Sequence, residues 1–315
     1  MSPFISICIP AYKNVEFLKR LLDSIAVQSF KNFEVILSDD SPGKEVEQLA
    51  NAYATAFPLH YYKNIPAHGM PANWNAAIEK AQGEWIKMMH DDDWFTSPDA
   101  LQQFADAAAG NANKFIFSAY QNIYFDQDRQ AEKMAFPVSR KQKILQQPML
   151  LMADNIIGPP SVCMVHRSVN ALYDVRLRWR VDIDYYINIL QKEKDFTFIP
   201  QHLINVGINK DQVTKYTQNF PEVELPEAYV LLRKYGTQPL GNVWVYDAWW
   251  RMFRNMKIFP EQKLREYVDE EWDKVILNIV QDISRTPKSF LKSGVLSKTC
   301  MFLSYLANKE RNKKH

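Results

Sequence analysis

Glycine is scarce in this chain, with nine in 315 residues, and neither GxGxxG nor GxxxxGK[ST] occurs. A dehydrogenase or P-loop reading therefore loses its main support, and a glycine-lined phosphate cradle is not expected. Cysteine is scarce too. Cys8, Cys163 and Cys300 are odd in number and far apart, which gives neither a disulfide framework nor a zinc spacing and fits a reducing compartment. No run approaches 18 apolar residues and mean hydropathy is −0.34, so no membrane span is expected. Met1-Ser2-Pro3-Phe4 offers no basic region or cleavage site, so a signal peptide is not expected either. Charge of one sign is missing as well: 38 Lys+Arg stand against 36 Asp+Glu, a net +2, which excludes a chain coated in nucleic acid. Hydrophobic residues at 47% are enough for a real core. The expectation is a globular cytoplasmic protein.

The charge is unevenly spread. Pro287–His315 carries Lys288, Lys292, Lys298, Lys309, Arg311, Lys313 and Lys314 against Glu310, a local +6 that leaves −4 for everything before it. In this segment Ser289, Ser293, Ser297 and Ser304 share one helical face. Phe290, Leu291, Val295, Met301, Phe302, Tyr305 and Leu306 cover most of the other side. A basic amphipathic helix of this kind can lie on an anionic membrane surface. The alternative is packing on its own domain or on a second subunit, with the serine stripe solvated.

Hydrophobic patterning organises the rest. Phe4–Ile9 is a short apolar, β-branched run that suits a strand buried on both faces. A helix follows through Ala26, with Asn14 placed to cap it. Strands are expected over Phe33–Leu37, Leu59–Lys63 and Glu84–Met89, with helices from about Lys44 to Ala56 and from Trp74 to Ala81. Four such alternations in under a hundred residues predict an α/β fold with a mainly parallel sheet. After Pro98 the pattern predicts a helix over Asp99–Ala109, strands over Lys114–Ala119, Ser161–His166 and Phe196–Ile199, a hairpin-like excursion over Ile123–Pro137, and a helix over Asp182–Gln191. Beyond Pro221 it is all helical: Glu222–Tyr235, Val243–Met256, Glu261–Ile283 and Pro287–Asn308. The domain boundary is placed in the Asn219–Pro226 segment, giving domains 1–220 and 221–315. Trp244, Tyr246, Trp249, Trp250 and Phe253 read as helical core.

In open α/β sheets ligands bind beyond the carboxyl ends of the strands. Three such ends carry unusual residues: Pro10-Ala11-Tyr12-Lys13-Asn14, Asp39-Asp40-Ser41-Pro42, and His90-Asp91-Asp92-Asp93. Adjacent carboxylates repel, and a divalent cation is the usual remedy. A solvated acidic cluster at a helix N-terminus is the plainer alternative. Ser41-Pro42 also makes a good helix start, which accounts for Ser41 but not for both aspartates. His166 reads as a strand end.

These segments, with Ala72-Asn73-Trp74-Asn75 and Gly83-Glu84-Trp85, resemble in order and spacing the family 2 inverting glycosyltransferases, over about residues 4–215. The resemblance implies a GT-A fold with a C-terminal helical extension. It implies transfer of a sugar from a nucleoside-diphosphate sugar, with inversion and Mn²⁺ or Mg²⁺. The acceptor would be a hydroxyl of a glycan or lipid-linked glycan, in bacterial surface-polysaccharide assembly such as that of lipopolysaccharide. By the same resemblance Pro10, Ala11, Tyr12, Asn14 and Asn73 frame the nucleotide and Asp40 accepts the base N3–H, which favours uridine. Asp39 is structural. Asp92 is the metal aspartate of the D-x-D motif. Asp91 lies toward the ribose or the metal, and Asp93 supports the metal. His90 replaces the first aspartate of that motif. The acid-rich helix start matches Arg178–Tyr186. Asp182 falls on the catalytic base and Val181 replaces a glutamate, with Asp184 as runner-up; in isolation, Asp182 would simply favour a helix N-terminus. Asn209 sits near a histidine that closes over the diphosphate, with Lys210 or Lys215 as possible cationic substitutes, and His68-Gly69 could also approach the donor. The departures at His90 and Val181 keep a catalytically silent nucleotide- or membrane-binding scaffold open. A nucleotidyltransferase would need a glycine- and basic-rich loop where Pro10–Asn14 stands.

Overall fold

The computed structural model describes residues 2–110, 112–125, 129–209 and 220–313. Two compact units emerge. The first comprises Met1–Leu145, Ile156–Val175 and Asp184–Gln212; the second comprises Gln146–Asn155, Arg176–Ile183 and Val213–His315.

The apolar run at the N-terminus is strand β1 (Ile5–Ala11), buried along its whole length. It lies between β2 (Phe33–Asp39) and β4 (Trp85–Met88), parallel to both, and β2 pairs in parallel with β3 (Leu59–Lys63). A strand with both faces covered cannot alternate polar and apolar residues, and β1 does not. Helix α1 (Val15–Ala26) buries Leu18, Leu21, Leu22 and Ile25, the stripe that its spacing predicts. Asn14 occupies its N-cap position, but the Asn14 side chain makes no capping hydrogen bond. α2 (Glu45–Tyr53) and α3 (Ala72–Lys80) complete the alternation.

Among the described residues, nine strands form one sheet in the order β3-β2-β1-β4-β8-β6-β9-β5, with β7 on β6. Past β4 the sheet becomes mixed. β8 (Cys163–His166) runs antiparallel to both β4 and β6, β6 (Phe115–Tyr124) is parallel to β9 (Thr197–Ile208), and the short β5 (Trp94–Phe95) is antiparallel to β9. The Ile123–Pro137 excursion does return as an antiparallel strand, β7 (Glu132–Met134). β9 is far longer than its sequence predicts, because the chain bulges at Pro200-Gln201 and pairs with β6 again from His202 to Ile208. Helix α4 (Ala100–Ala109) covers this half through Leu101, Phe104 and Ala105.

The second unit is helical: α7 (Pro221–Tyr235), α8 (Val243–Met256), α9 (Glu261–Arg265), α10 (Lys274–Arg285), α11 (Lys288–Lys292) and α12 (Gly294–Lys313). Two helices expected as continuous are broken, one after Arg265 and one at Ser293, whose backbone is extended. Tyr246, Trp249, Trp250 and Phe253 are buried as expected, but Trp244 is half exposed. α5 (Lys141–Gln146) and α6 (Val181–Glu193) precede these helices.

Candidate active site

The carboxyl ends of β1, β2 and β4 lie side by side in the first unit, and the sequence-predicted residues other than Asp182 gather there. Ala11 ends β1 in register with Asp39. The chain then turns through Lys13, whose φ of 67° is left-handed, with the Lys13 N–H held by Ser41 Oγ at 2.8 Å. This turn leaves the Tyr12 ring half exposed, with Lys13 Nζ 4.6 Å from its centre. Asn14 continues the turn, its N–H donating to the Tyr12 carbonyl at 2.8 Å.

The two aspartates after β2 have different duties. Asp39 is fully buried. Its Oδ1 accepts the Ser41 N–H at 2.7 Å, and its Oδ2 accepts Tyr61 Oη at 2.7 Å and Lys63 Nζ at 2.8 Å. Burial alone would raise its pKa, but these donors outweigh burial and hold it below the usual value. Asp40 Oδ1 accepts Asn64 Nδ2 at 2.8 Å and the His68 N–H at 3.1 Å, and Oδ2 accepts the Gly69 N–H at 2.7 Å. His68-Gly69 is thus a loop tied to Asp40 through its backbone. A carboxylate oxygen accepts two donors, so Oδ2 keeps capacity for one more. Asn73 is buried beside them, its Oδ1 accepting Asn64 Nδ2 at 3.0 Å and its Nδ2 3.4 Å from the Ala11 carbonyl.

The end of β4 brings His90, Asp92 and Asp93 together, their ligand atoms within 4.8 Å of one another. His90 Nε2 is buried with no hydrogen-bond partner among the described residues. Burial, and then the charge of Lys87, lowers the His90 pKa to about 4, so its lone pair is free at neutral pH. Burial, then repulsion from Asp92, pushes Asp91 up to about 8 and moves Asp93 upward as well. An orphaned neutral imidazole beside carboxyls that resist ionisation is a donor set that fits a divalent cation, whose charge would reverse those shifts. Asp91 stands outside the trio; its Oδ2 is 3.3 Å from the Tyr12 N–H.

Several supports were invisible in the sequence. Lys87 is fully buried and donates to the Ser161 carbonyl; Ser161 Oγ in turn accepts the His90 N–H at 2.9 Å. Asn75 grips Tyr173 through both its carbonyl and its N–H, at 2.8 and 2.9 Å. Trp74 then packs between Tyr173 and the His90 ring, with ring centres 5.0 and 4.4 Å away. From β9, the Gly207 N–H donates to Asp93 Oδ1 at 3.1 Å and Asn209 Nδ2 lies 3.4 Å from Asp92 Oδ2. A Cβ at Gly207 would collide with the Asp92 carbonyl, so glycine is required there. The sequence reading puts Asn209 near a histidine that closes over the diphosphate; in the structure its side chain lies against Asp92. Lys210 and Lys215 lie outside the described residues. His166 ends β8, with Nε2 3.4 Å from Glu84.

In the second unit Asp182 lies in the first turn of α6. Its Oδ1 accepts the Ile183 N–H at 2.7 Å and its Oδ2 accepts Asn155 Nδ2 at 2.7 Å. Burial raises its pKa to about 6 against those bonds and the Arg180 charge. The preceding turn is clamped from α7. The buried Glu227 carboxylate accepts the N–H groups of Arg178, Trp179 and Arg180 at 2.7–3.1 Å, and Glu224 pairs with Arg180 at 2.7 Å. Asp184, the alternative base, is buried in the first unit.

A parallel half-sheet whose strand ends present a cluster of aspartates and a candidate cation site defines the class. Residues 6–172 match the model for Glycosyl transferase family 2, and the chain belongs to that family. Among its relatives is an uncharacterized glycosyltransferase of Haemophilus influenzae, 26% identical over 196 residues, which are 61% of this chain and 64% of the relative. Another is WcaA of Escherichia coli, named for colanic acid biosynthesis, 29% identical over 195 residues, 60% of this chain and 67% of the relative. These matches therefore span about two thirds of each relative. The fold is that of S. aureus TarS 1–349 in complex with UDP-GlcNAc (TM-score 0.62, 13% identity, 98% of this chain and 91% of that one). It is also that of the mannosyltransferase PcManGT of Pyrobaculum calidifontis in complex with GDP-Man and Mn²⁺ (TM-score 0.57, 11% identity, 98% and 87%). The chain is a glycosyltransferase of the GT-A fold with C-terminal helices, and no helix among its described residues is long and apolar enough to cross a membrane.

Proposed function

We propose that the chain transfers a hexosyl group from a nucleoside-diphosphate sugar, UDP-linked by preference, to a hydroxyl of a glycan or lipid-linked glycan, inverting the anomeric centre. The observation that carries this reading is the His90, Asp92 and Asp93 donor set at the end of β4, in the same unit as the Asp40–Asn64–Asn73 cluster. In this reading residues 1–220 are the catalytic domain and 221–315 an extension. Pro10, Ala11, Tyr12 and Asn14 frame the base, Asp40 Oδ2 accepts its N3–H, and Asp91 faces the ribose.

His90, Asp92 and Asp93 would hold a divalent cation, Mn²⁺ or Mg²⁺. When bound, that ion supplies charge neutralisation to the departing diphosphate. An imidazole ligand favours Mn²⁺ over the strictly oxygen-loving Mg²⁺. Asp182 takes the acceptor hydroxyl proton. The acceptor oxygen forms its bond to the anomeric carbon as the bond to the diphosphate oxygen breaks, in line and from the opposite face. A base with a pKa pushed to about 6 is ionised at neutral pH yet basic enough to help. The setting proposed is polysaccharide assembly, lipopolysaccharide included, at the cytoplasmic face of the membrane. WcaA's name and the sugar nucleotides held by TarS and PcManGT support the reading.

The test is release of nucleoside diphosphate from a panel of UDP-, GDP- and dTDP-sugars with a lipid-linked glycan pool from a Gram-negative envelope. One donor should be consumed only with Mn²⁺ or Mg²⁺, and not by Asp92→Ala. Metal-independent turnover, or turnover retained in Asp92→Ala, would refute the assignment.

A further inference from the structure

Helix α12 is built inside out. Its buried face carries Ser297, Met301, Ser304, Tyr305 and Asn308. The polar members of this face are committed. Ser297 Oγ accepts Trp250 Nε1 at 3.2 Å and Arg254 Nη1 at 3.0 Å. Ser304 Oγ donates to Asp282 at 2.6 Å, and Asn308 Nδ2 donates to Tyr246 Oη at 2.6 Å. Tyr305 Oη donates to the Gly241 carbonyl at 2.7 Å. These bonds fix the rotation of the helix, since turning it over would strand every one of them in an apolar setting. Of the serine stripe, Ser297 and Ser304 are therefore not solvated, whereas Ser289 is exposed.

The outward face is consequently the apolar one. Val295, Leu296, Phe302, Leu303 and Leu306 recur at i, i+1, i+7, i+8 and i+11, with Val295 77% and Leu303 60% exposed. That spacing gathers them on one side of a 3.6-residue helix. Phe290 on the preceding α11 is exposed as well. Cations rim this surface: Lys288, Lys292, Lys298 and Lys309 are all exposed, and the sequence holds no acid from Lys288 to Lys309. Lys298 Nζ stands 5.2 Å from the ring centre of the half-exposed Trp244. An amphipathic aromatic beside a lysine is the pairing favoured at a headgroup boundary.

We propose that the outward face of α12, with Phe290 and Trp244, is a docking surface for an anionic lipid bilayer, on which the helix lies flat. Charge decides the occupant. A second copy would bring like-charged lysines face to face, whereas anionic headgroups complement the lysine rim while Phe302, Leu303 and Leu306 enter the acyl boundary. Apolar burial and a cationic rim together supply the two signals that stable but reversible anchoring needs. The inference gives the membrane location proposed above its contact residues, and it does not depend on the donor site.

The experiment is co-sedimentation of the full chain with vesicles of phosphatidylcholine alone or mixed with phosphatidylglycerol, without nucleotide or metal. The chain should bind the mixed vesicles, and raised salt should weaken binding several-fold. Phe302→Asp with Leu303→Asp should cut partitioning by about tenfold or more. Lys298→Glu with Lys309→Glu should weaken it several-fold. All four side chains face outward, so unchanged melting temperatures will confirm folding. A wild-type chain that stays in the supernatant with the mixed vesicles overturns the proposal, as does an Asp pair that binds like wild type. A wild-type dimer that the Asp pair splits into monomers also overturns it and assigns the face to a second copy. None of these outcomes bears on nucleotide binding, so the glycosyltransferase reading stands or falls separately.

Discussion

Replacing Asp182 by asparagine should slow transfer and, at the same time, stabilise the protein. Burial raises the Asp182 carboxyl from the usual 3.8 to about 6. A group whose pKa is raised on folding binds more protons folded than unfolded, so its contribution to stability falls as pH climbs from about 4 to 6 and is flat above. At about 1.4 kcal/mol per pH unit, the ionised carboxylate costs the fold about 3 kcal/mol at pH 8. Its partial exposure discounts that to about 1–2 kcal/mol. Asparagine removes the charge and keeps an acceptor for the Ile183 N–H, and the Asn155 amide can turn to present its oxygen. Asp182→Asn should therefore melt a few degrees above wild type at pH 8, with the gain shrinking by pH 5 and gone near pH 4. Turnover should fall by about 10²–10⁴ while nucleotide affinity is unchanged, because general-base assistance is lost and the donor residues are intact. Wild-type turnover should show an acid limb near pH 6. Thermal melts across pH, with rates of nucleoside-diphosphate release, measure both effects. Wild-type turnover in the variant refutes the base, and a stability gain independent of pH refutes the electrostatic argument.

Three further outcomes are expected. Glu227→Ala should strip the N–H groups of Arg178, Trp179 and Arg180 of their shared acceptor, costing about 3 kcal/mol in melting and denaturant curves and depressing turnover without altering nucleotide affinity; unchanged stability would show the clamp to be idle. His90→Ala should weaken Mn²⁺ binding by about 10- to 100-fold in titration calorimetry while His90→Asp recovers much of it, and equal affinity in the alanine variant would remove His90 from the ligand set. Asp39→Ala should cost about 2–3 kcal/mol by leaving Tyr61 Oη and the Ser41 N–H without their acceptor and Lys63, still bonded to the Ser41 and Gly43 carbonyls, without its counter-charge, whereas a loss of base selectivity with full stability would make Asp39 a nucleotide ligand instead.

The elements that carry the site were readable because each announces itself locally. β1 is a β-branched run closed by Pro10, α1 a 3.6-residue stripe, and the strand ends bear runs of aspartates that break the apolar pattern. What sequence reasoning missed depends on partners far along the chain. Nothing beside Lys87 signals that Ser161 will meet it, nothing in Asn75 points to Tyr173, and Glu227 sits in an ordinary helical pattern 45 residues past Asp182. The length of β9 was hidden for a similar reason, since Pro200-Gln201 reads as a strand end and pairing resumes beyond it only because β6 runs on beside His202–Ile208. The C-terminal helix shows the limit of amphipathic patterning. Its amphipathic character was legible, but Met301 and Tyr305, expected opposite the serines, share the inward face with Ser297 and Ser304, and which face turns inward is decided by Tyr246, Trp250, Arg254 and Asp282 on other helices.

The most direct measurement is the thermal stability of wild type and Asp92→Ala against UDP, GDP and dTDP, each with and without Mn²⁺. A donor site built on His90, Asp92 and Asp93 requires one nucleotide, UDP first, to raise the melting temperature of the wild type only when Mn²⁺ is present. Asp92→Ala should not respond. No metal-dependent rise with any nucleotide, or an equal rise in Asp92→Ala, would contradict the account.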